Sequence, residues 1–142
     1  MPNTSPHLRA GGDILLCRFV KMSPDADHTG LQAGDNDVII GCSHEQSNYP
    51  PLSDIVSTHY AARTGQYFRL LGDGDYALIE AGAAFDRGTR LKSDVNGRAV
   101  PIATTGTVRQ NIGAIALASA AAEGEKVPVQ ILSLRDTRPA LT

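Results

Sequence analysis

The sequence predicts an all-β fold, a barrel or a sandwich, and three observations carry that expectation. Short apolar segments recur at regular spacing along the 142 residues. Several of them alternate apolar and polar residues with period two. The 14 Gly and 8 Pro fall between these segments as turn signals, not inside long helical periods. The length fits one domain. Such a chain buries roughly two-thirds of its unfolded surface in one core.

Taken in order, residues 1–12 hold Pro2, Pro6, Gly11 and Gly12 among polar residues. They are expected to run as an extended N-terminal arm, about 40 Å long if fully stretched. Such an arm either grips a neighbouring subunit or remains a free terminus. Residues 13–134 form the expected β domain, and 135–142 a short C-terminal tail with Pro139. Strands are expected at Ile14–Lys21, Val38–Cys42, Gln66–Leu71, Tyr76–Glu80, Arg90–Ser93, Ala99–Ala103, Gly113–Leu117 and Lys126–Leu132. In the last, Val127, Val129 and Ile131 share one face. Pro128 lacks an N–H, which places that strand at an edge or turns its proline outward. Gly72-Asp73-Gly74-Asp75 and Asp94-Val95-Asn96-Gly97 carry hairpin-turn chemistry between flanking strands.

Two segments have some helical character. Pro51–Ala62 offers Ser53 as an N-cap, but its β-branched Ile55, Val56 and Thr58 weaken it. Ala116–Glu123 is Ala-rich and stops at Gly124. At most a turn or two of helix is expected in each. A shift of 72 residues also places Arg18 on Arg90, Gly34 on Gly106, Ile40 on Ile112 and Gly41 on Gly113. Four matches among small residues arise easily by chance; a true duplication would mean a pseudo-symmetric barrel with residues 43–64 as a long inserted loop.

Charge and motifs narrow the function. Thirteen basic and 15 acidic residues give a net charge of −2, which argues against a dedicated nucleic-acid binder. The longest apolar stretch, Ile112–Ala122, is too short and Gly-interrupted for a membrane helix. The N-terminus lacks the apolar segment of a secretory signal. Cys17 and Cys42 are too few for a disulfide scaffold or a thiolate zinc site; they read as buried free thiols or as a mutual pair. Cys42 and His44 share a strand face and could form a nucleophile and base, with Glu45 pointing away. With His59 they would supply only three metal ligands. No nucleophile elbow or phosphate loop is present. Asp25, Asp27, Asp35 and Asp37 read as solvated turn residues. Tyr49-Pro50-Pro51-Leu52 is a stiff segment in the long loop; it suits binding, since it loses little entropy there, or is simply a proline-braced loop.

One further pattern lies in the order of weak motifs. Phe19-Val20-Lys21 precedes a Gly-Asp loop and Val38-Ile39-Ile40-Gly41. Pro50-Pro51-Leu52 and Tyr60-Ala61-Ala62 precede the strand begun by Gly65. Ala81-Gly82, then Gly88 through Asp94 and Gly97, then Ile112–Leu117 and Gly124–Val129 complete the series. From Gly12 to Leu134 the chain resembles the small capsid decoration (cement) proteins of tailed bacteriophages. That resemblance implies a compact tulip- or barrel-like β domain with little helix, seated on the outside of the head shell. It implies no enzymatic activity, no cofactor and no metal. It also implies major capsid protein as partner, self-association as a trimer at local threefold positions, and no direct contact with nucleic acid or membrane. The protein would be made in the host cytoplasm and reside in the virion.

A decoration protein bridges capsid subunits and holds them against the pressure of packaged DNA. Ordering an arm of about eleven residues costs on the order of 10–20 kcal/mol, which capsid contact must offset. Several arms in one oligomer would raise avidity. The candidate contact residues are therefore Pro2, Asn3, Thr4, Pro6, Leu8 and Arg9 of the arm, with Tyr49, Pro50, Pro51 and Leu52 of the loop. Another virion part (tail or head–tail) and a small Cys/His enzyme are the alternative readings.

Overall fold

A computed structural model describes residues 7–43, 60–103 and 110–135. It is all-β, as the sequence predicts. Its strands are β1 (His7–Ala10), β2 (Ile14–Leu15), β3 (Phe19–Met22), β4 (Thr29–Gln32), β5 (Gly41–Ser43) and β6 (Tyr60–Ala62). They continue with β7 (Tyr67–Leu71), β8 (Tyr76–Glu80), β9 (Arg90–Ser93), β10 (Ala99–Pro101), β11 (Asn111–Ala116) and β12 (Lys126–Arg135). No helix occurs among the described residues.

The first sheet is a closed barrel in the order β1-β4-β3-β5-β7. Its β1–β4 contact is parallel and the other four are antiparallel. The second sheet runs β10-β9-β11-β12-β8, with every pair antiparallel. Its two ends meet where Ala81, just past β8, makes a parallel bridge to Ala99 of β10. The second sheet thus repeats the first strand for strand. Ladder register matches Ala10 to Ala81, Val20 to Leu91, Gly30 to Ala99, Cys42 to Ile115 and Leu71 to Gln130.

The same two bonds seal each barrel corner. Ala10 N–H donates to Gln66 O (2.8 Å) and Gly65 N–H to Ala10 O (2.8 Å). Ala81 N–H donates to Glu125 O (2.7 Å) and Gly124 N–H to Ala81 O (2.8 Å). Gly65 and Gly124 have φ of 87° and 94°, a left-handed region where glycine is favoured. The duplication is real, but no single shift describes it. Arg90 answers to Phe19, not Arg18, and Gly41 to Ala114, not Gly113. The loops differ in length, and β11 has a register shift between Ile112 and Ala114.

Several expectations are corrected. Residues 7–10, assigned to the arm, are barrel strand β1. The strand expected at Ile14–Lys21 is two strands, because Cys17 turns the chain at φ 56°. The acidic loop contains β4. The segment Gly72–Asp75 is a turn, with Asp75 N–H bonded to Gly72 O at 2.9 Å. It closes no hairpin, since β7 and β8 belong to different sheets. By contrast, Asp94–Gly97 does join the paired strands β9 and β10, and only Gly97 takes positive φ there, 77°. Ala116–Glu123 is not helical, and Ala120 bridges Phe85 instead. The end of the other helical candidate, Tyr60–Ala62, is β6; residues 51–59 lie outside the described residues. Strand β12 is central, and Pro128 points outward. Its carbonyl accepts Leu117 N–H (3.0 Å) just past the end of β11, so the missing donor costs one terminal rung.

Two cores follow from this plan. Leu8, Ala10, Val20 and Phe68 fill the first barrel, with Ile14 and Ala62 of the β2–β6 ribbon packed among them. The larger core combines the second barrel's Ile79, Leu91, Val127, Val129 and Ile131 with Phe19, Ile39 and Cys42 from the outside of the first.

Candidate interaction surface

The candidate contact residues separate in the structure. Pro2, Asn3, Thr4, Pro6, Tyr49, Pro50, Pro51 and Leu52 lie outside the described residues. Leu8 points into the first barrel opposite Phe68 and is buried, so it is core, not a contact. Its neighbour Arg9 alternates to the outside and is exposed. The register sets it beside Tyr67, which is 61% exposed. Sequence reasoning missed Tyr67, although its alternation with buried Phe68 carried the signal. Exposed Tyr76 begins β8 in the same way on the second barrel.

A charged junction joins the barrels. Arg18 donates through Nη2 to Glu80 Oε2 at 3.0 Å and through Nη1 to Asn96 O at 3.0 Å. Gln32 Nε2 also donates to Asn96 O, at 2.8 Å. Phe19 N–H donates to Gly97 O (2.8 Å), and Glu80 N–H to Cys17 O (3.0 Å). Arg98 lies 3.4 Å from Asp94 and 3.8 Å from Glu80. Partly buried charges in this position need all their partners. The β9–β10 turn is thereby fixed onto the first barrel.

Near the ribbon, Asp13 Oδ1 accepts Thr64 N–H (3.0 Å) and lies 3.3 Å from Arg63 Nε. The Thr64 backbone hydrogen bond is the main force holding this carboxyl below its ordinary range. Desolvation opposes it, and the Arg63 charge with the Arg63 and Thr64 side-chain hydrogen bonds adds to it.

The thiol chemistry points away from a nucleophile. Cys17 and Cys42 are buried free thiols, so the mutual pair is not formed. Burial pushes the Cys42 thiol well above its ordinary value, and Cys17 pushes it further. An attacking thiolate needs the opposite shift. His44 and His59 lie outside the described residues. Among the described residues no group of three or more His, Cys, Asp or Glu could hold a metal ion. Of the acidic loop, Asp37 pairs with Lys21 at 3.1 Å and caps Gly34 N–H at 2.7 Å. Asp25 and Asp27 stand exposed in the β3–β4 connection.

Among the described residues the fold is a closed five-stranded barrel followed by a five-stranded sheet of matching strand order, whose two ends meet at a single bridge. No family model and no curated protein matches the chain. Among solved structures, its fold is similar to that of the head fiber gp8.5 N base of bacteriophage phi29. The TM-score is 0.58, with 19% sequence identity over 96% of this chain and 95% of that chain. Likeness at that identity shows a shared fold.

Proposed function

We propose that this chain is a structural component of a bacteriophage virion, and within it a capsid decoration protein. The observation that carries the reading is the end-to-end fold likeness to the base of a phage head fiber. The ordered weak motifs that resemble cement proteins point the same way. In this reading the protein binds the outer surface of the head shell, bridges major capsid subunits and resists internal DNA pressure. Its partners are major capsid protein and further copies of itself, as a homotrimer. It has no catalytic role: the raised, buried Cys42 thiol supports that part. It is made in the host cytoplasm and resides on the head exterior.

Quantitative mass spectrometry of density-purified virions tests this directly. A copy number near one per major capsid protein, or a simple fraction of it, is expected. A handful of copies per particle would favour a tail or head–tail part instead. Absence from intact particles would overturn the virion reading. A truncation lacking residues 1–6 keeps β1 and should fold; loss of its binding to isolated heads would assign the contact to those residues, and undiminished binding would remove them from it.

A further inference from the structure

Asn96 is the one asparagine of the chain that is followed by glycine, Gly97. A glycine nitrogen can attack the asparagine Cγ before it, because no side chain blocks the approach. Gly97 N would lose its proton and bond to Asn96 Cγ, and the side-chain nitrogen would leave as ammonia. The product is a cyclic imide, a succinimide. Water then opens the ring at either carbonyl, giving aspartate, or isoaspartate with the main chain rerouted through Cβ and Cγ. Water is the only co-reactant, and Asn96 is exposed to it on the β9–β10 turn.

The folded chain nevertheless holds this peptide on both sides. Asn96 O accepts from Arg18 Nη1 (3.0 Å) and from Gln32 Nε2 (2.8 Å), both on the first-barrel side of the junction. Gly97 N–H donates to Asp94 O at 3.2 Å. Asn96 N–H donates to Asp94 Oδ1 at 2.8 Å. A peptide is planar, so fixing its oxygen also fixes the nitrogen that would attack. Gly97 is packed as well: a Cβ there would stand 3.0 Å from Gln32 Cγ and 3.3 Å from Ala33 O. We propose that Asn96 is a spontaneous modification site whose rate is set by the junction between the two barrels. While Arg18 and Gln32 hold its carbonyl it stays asparagine, and when they let go it converts to aspartate and isoaspartate. Isoaspartate lengthens the main chain just before Gly97, whose carbonyl accepts Phe19 N–H at 2.8 Å. That bond then loses its register, so conversion leaves the turn detached from the first barrel. The inference stands on the junction and not on the virion reading.

Ageing the full chain at mildly alkaline pH, read by peptide mass spectrometry, tests it. The readout is the amide-to-acid mass gain at position 96, with isoaspartate separated from aspartate by chromatography. Folded wild type should convert at least about tenfold more slowly than the same chain in urea, because reaction requires local opening. Gln32→Glu removes the donor to Asn96 O and keeps an acceptor for Leu15 N–H. It should speed conversion several-fold in the folded chain and leave the rate in urea unchanged. Arg18→Met should do the same. Circular dichroism establishes that each variant is folded; should Arg18→Met fail to fold, Gln32→Glu carries the test. Conversion of folded wild type at its rate in urea overturns the proposal. So do folded variants that convert no faster than wild type. A chain that keeps its asparagine at 96 even in urea overturns it too.

Discussion

At Gly30 the first barrel has no room for a methyl group. A Cβ there would stand 2.9 Å from Phe68 Cζ and 3.1 Å from Val20 Cγ1. The second barrel meets the same geometry with a different pair: Ala99 corresponds to Gly30, and Val127 to Phe68. Volume moves from one strand to its neighbour while the barrel interior stays filled. Gly30→Ala should therefore cost about 1–3 kcal/mol by overpacking. Adding Phe68→Val should remove part of that penalty, so the double mutant should be more stable than the two single losses predict. Denaturant titration of the four proteins gives the coupling, and strict additivity would refute the compensation. Cys42 offers a second test at this scale. Its buried, raised thiol should react with a thiol reagent only after denaturant is added; rapid reaction of the native protein would revive the enzyme alternative.

Among the elements, the short ones depend most on their fasteners. The β2–β6 ribbon has register pairs at Ile14 and Leu15 only, and Asp13 holds the chain beside it to Thr64. Asp13 has a lowered folded-state pKa against an ordinary 3.8. Its contribution is therefore present above pH 3.8 and is lost as pH falls through the lower folded value. Asp13→Asn should lower the midpoint of thermal unfolding at neutral pH, and the gap to wild type should shrink below about pH 4. A gap constant with pH would show that the carboxylate is not responsible. The β9–β10 turn is fastened more strongly. Glu80→Ala leaves the largely buried Arg18 guanidinium without its carboxylate, with Asn96 O still accepting from Nη1, and should cost about 1–3 kcal/mol. Arg63→Ala, at an exposed pair, should cost under about 1 kcal/mol. Chemical denaturation ranks the two.

The whole molecule should behave as one folding unit. Phe19, Ile39 and Cys42 of the first barrel lie in the same core as Ile79, Leu91 and Val129 of the second. Neither barrel can leave without exposing the other's apolar surface. A single calorimetric transition, with equal calorimetric and van't Hoff enthalpies, is expected. Two resolved transitions would show that the barrels are independent.

What the sequence determined by itself was the set of strands whose own side chains alternate. Tyr76–Glu80 and Arg90–Ser93 were legible to the residue, because alternation and turn chemistry are local properties. The all-β class follows from the same signals. Strands β1, β4 and β6 were not legible. Each has three or four residues amid Gly, Pro or acidic neighbours, too few to display a period. They are strands because partners elsewhere in the chain supply their hydrogen bonds. The duplication was half-visible for a related reason. Matching residues survive at Ile-Gly pairs, but true equivalence lies in ladder register, which loop length and the β11 irregularity shift. Only the tertiary structure could turn Leu8 inward, leave Arg9 and Tyr67 outside, and bring Arg18 to Glu80 across the junction. Burial and pairing between distant segments are settled by which surfaces close on each other, and that is a property of the folded chain as a whole.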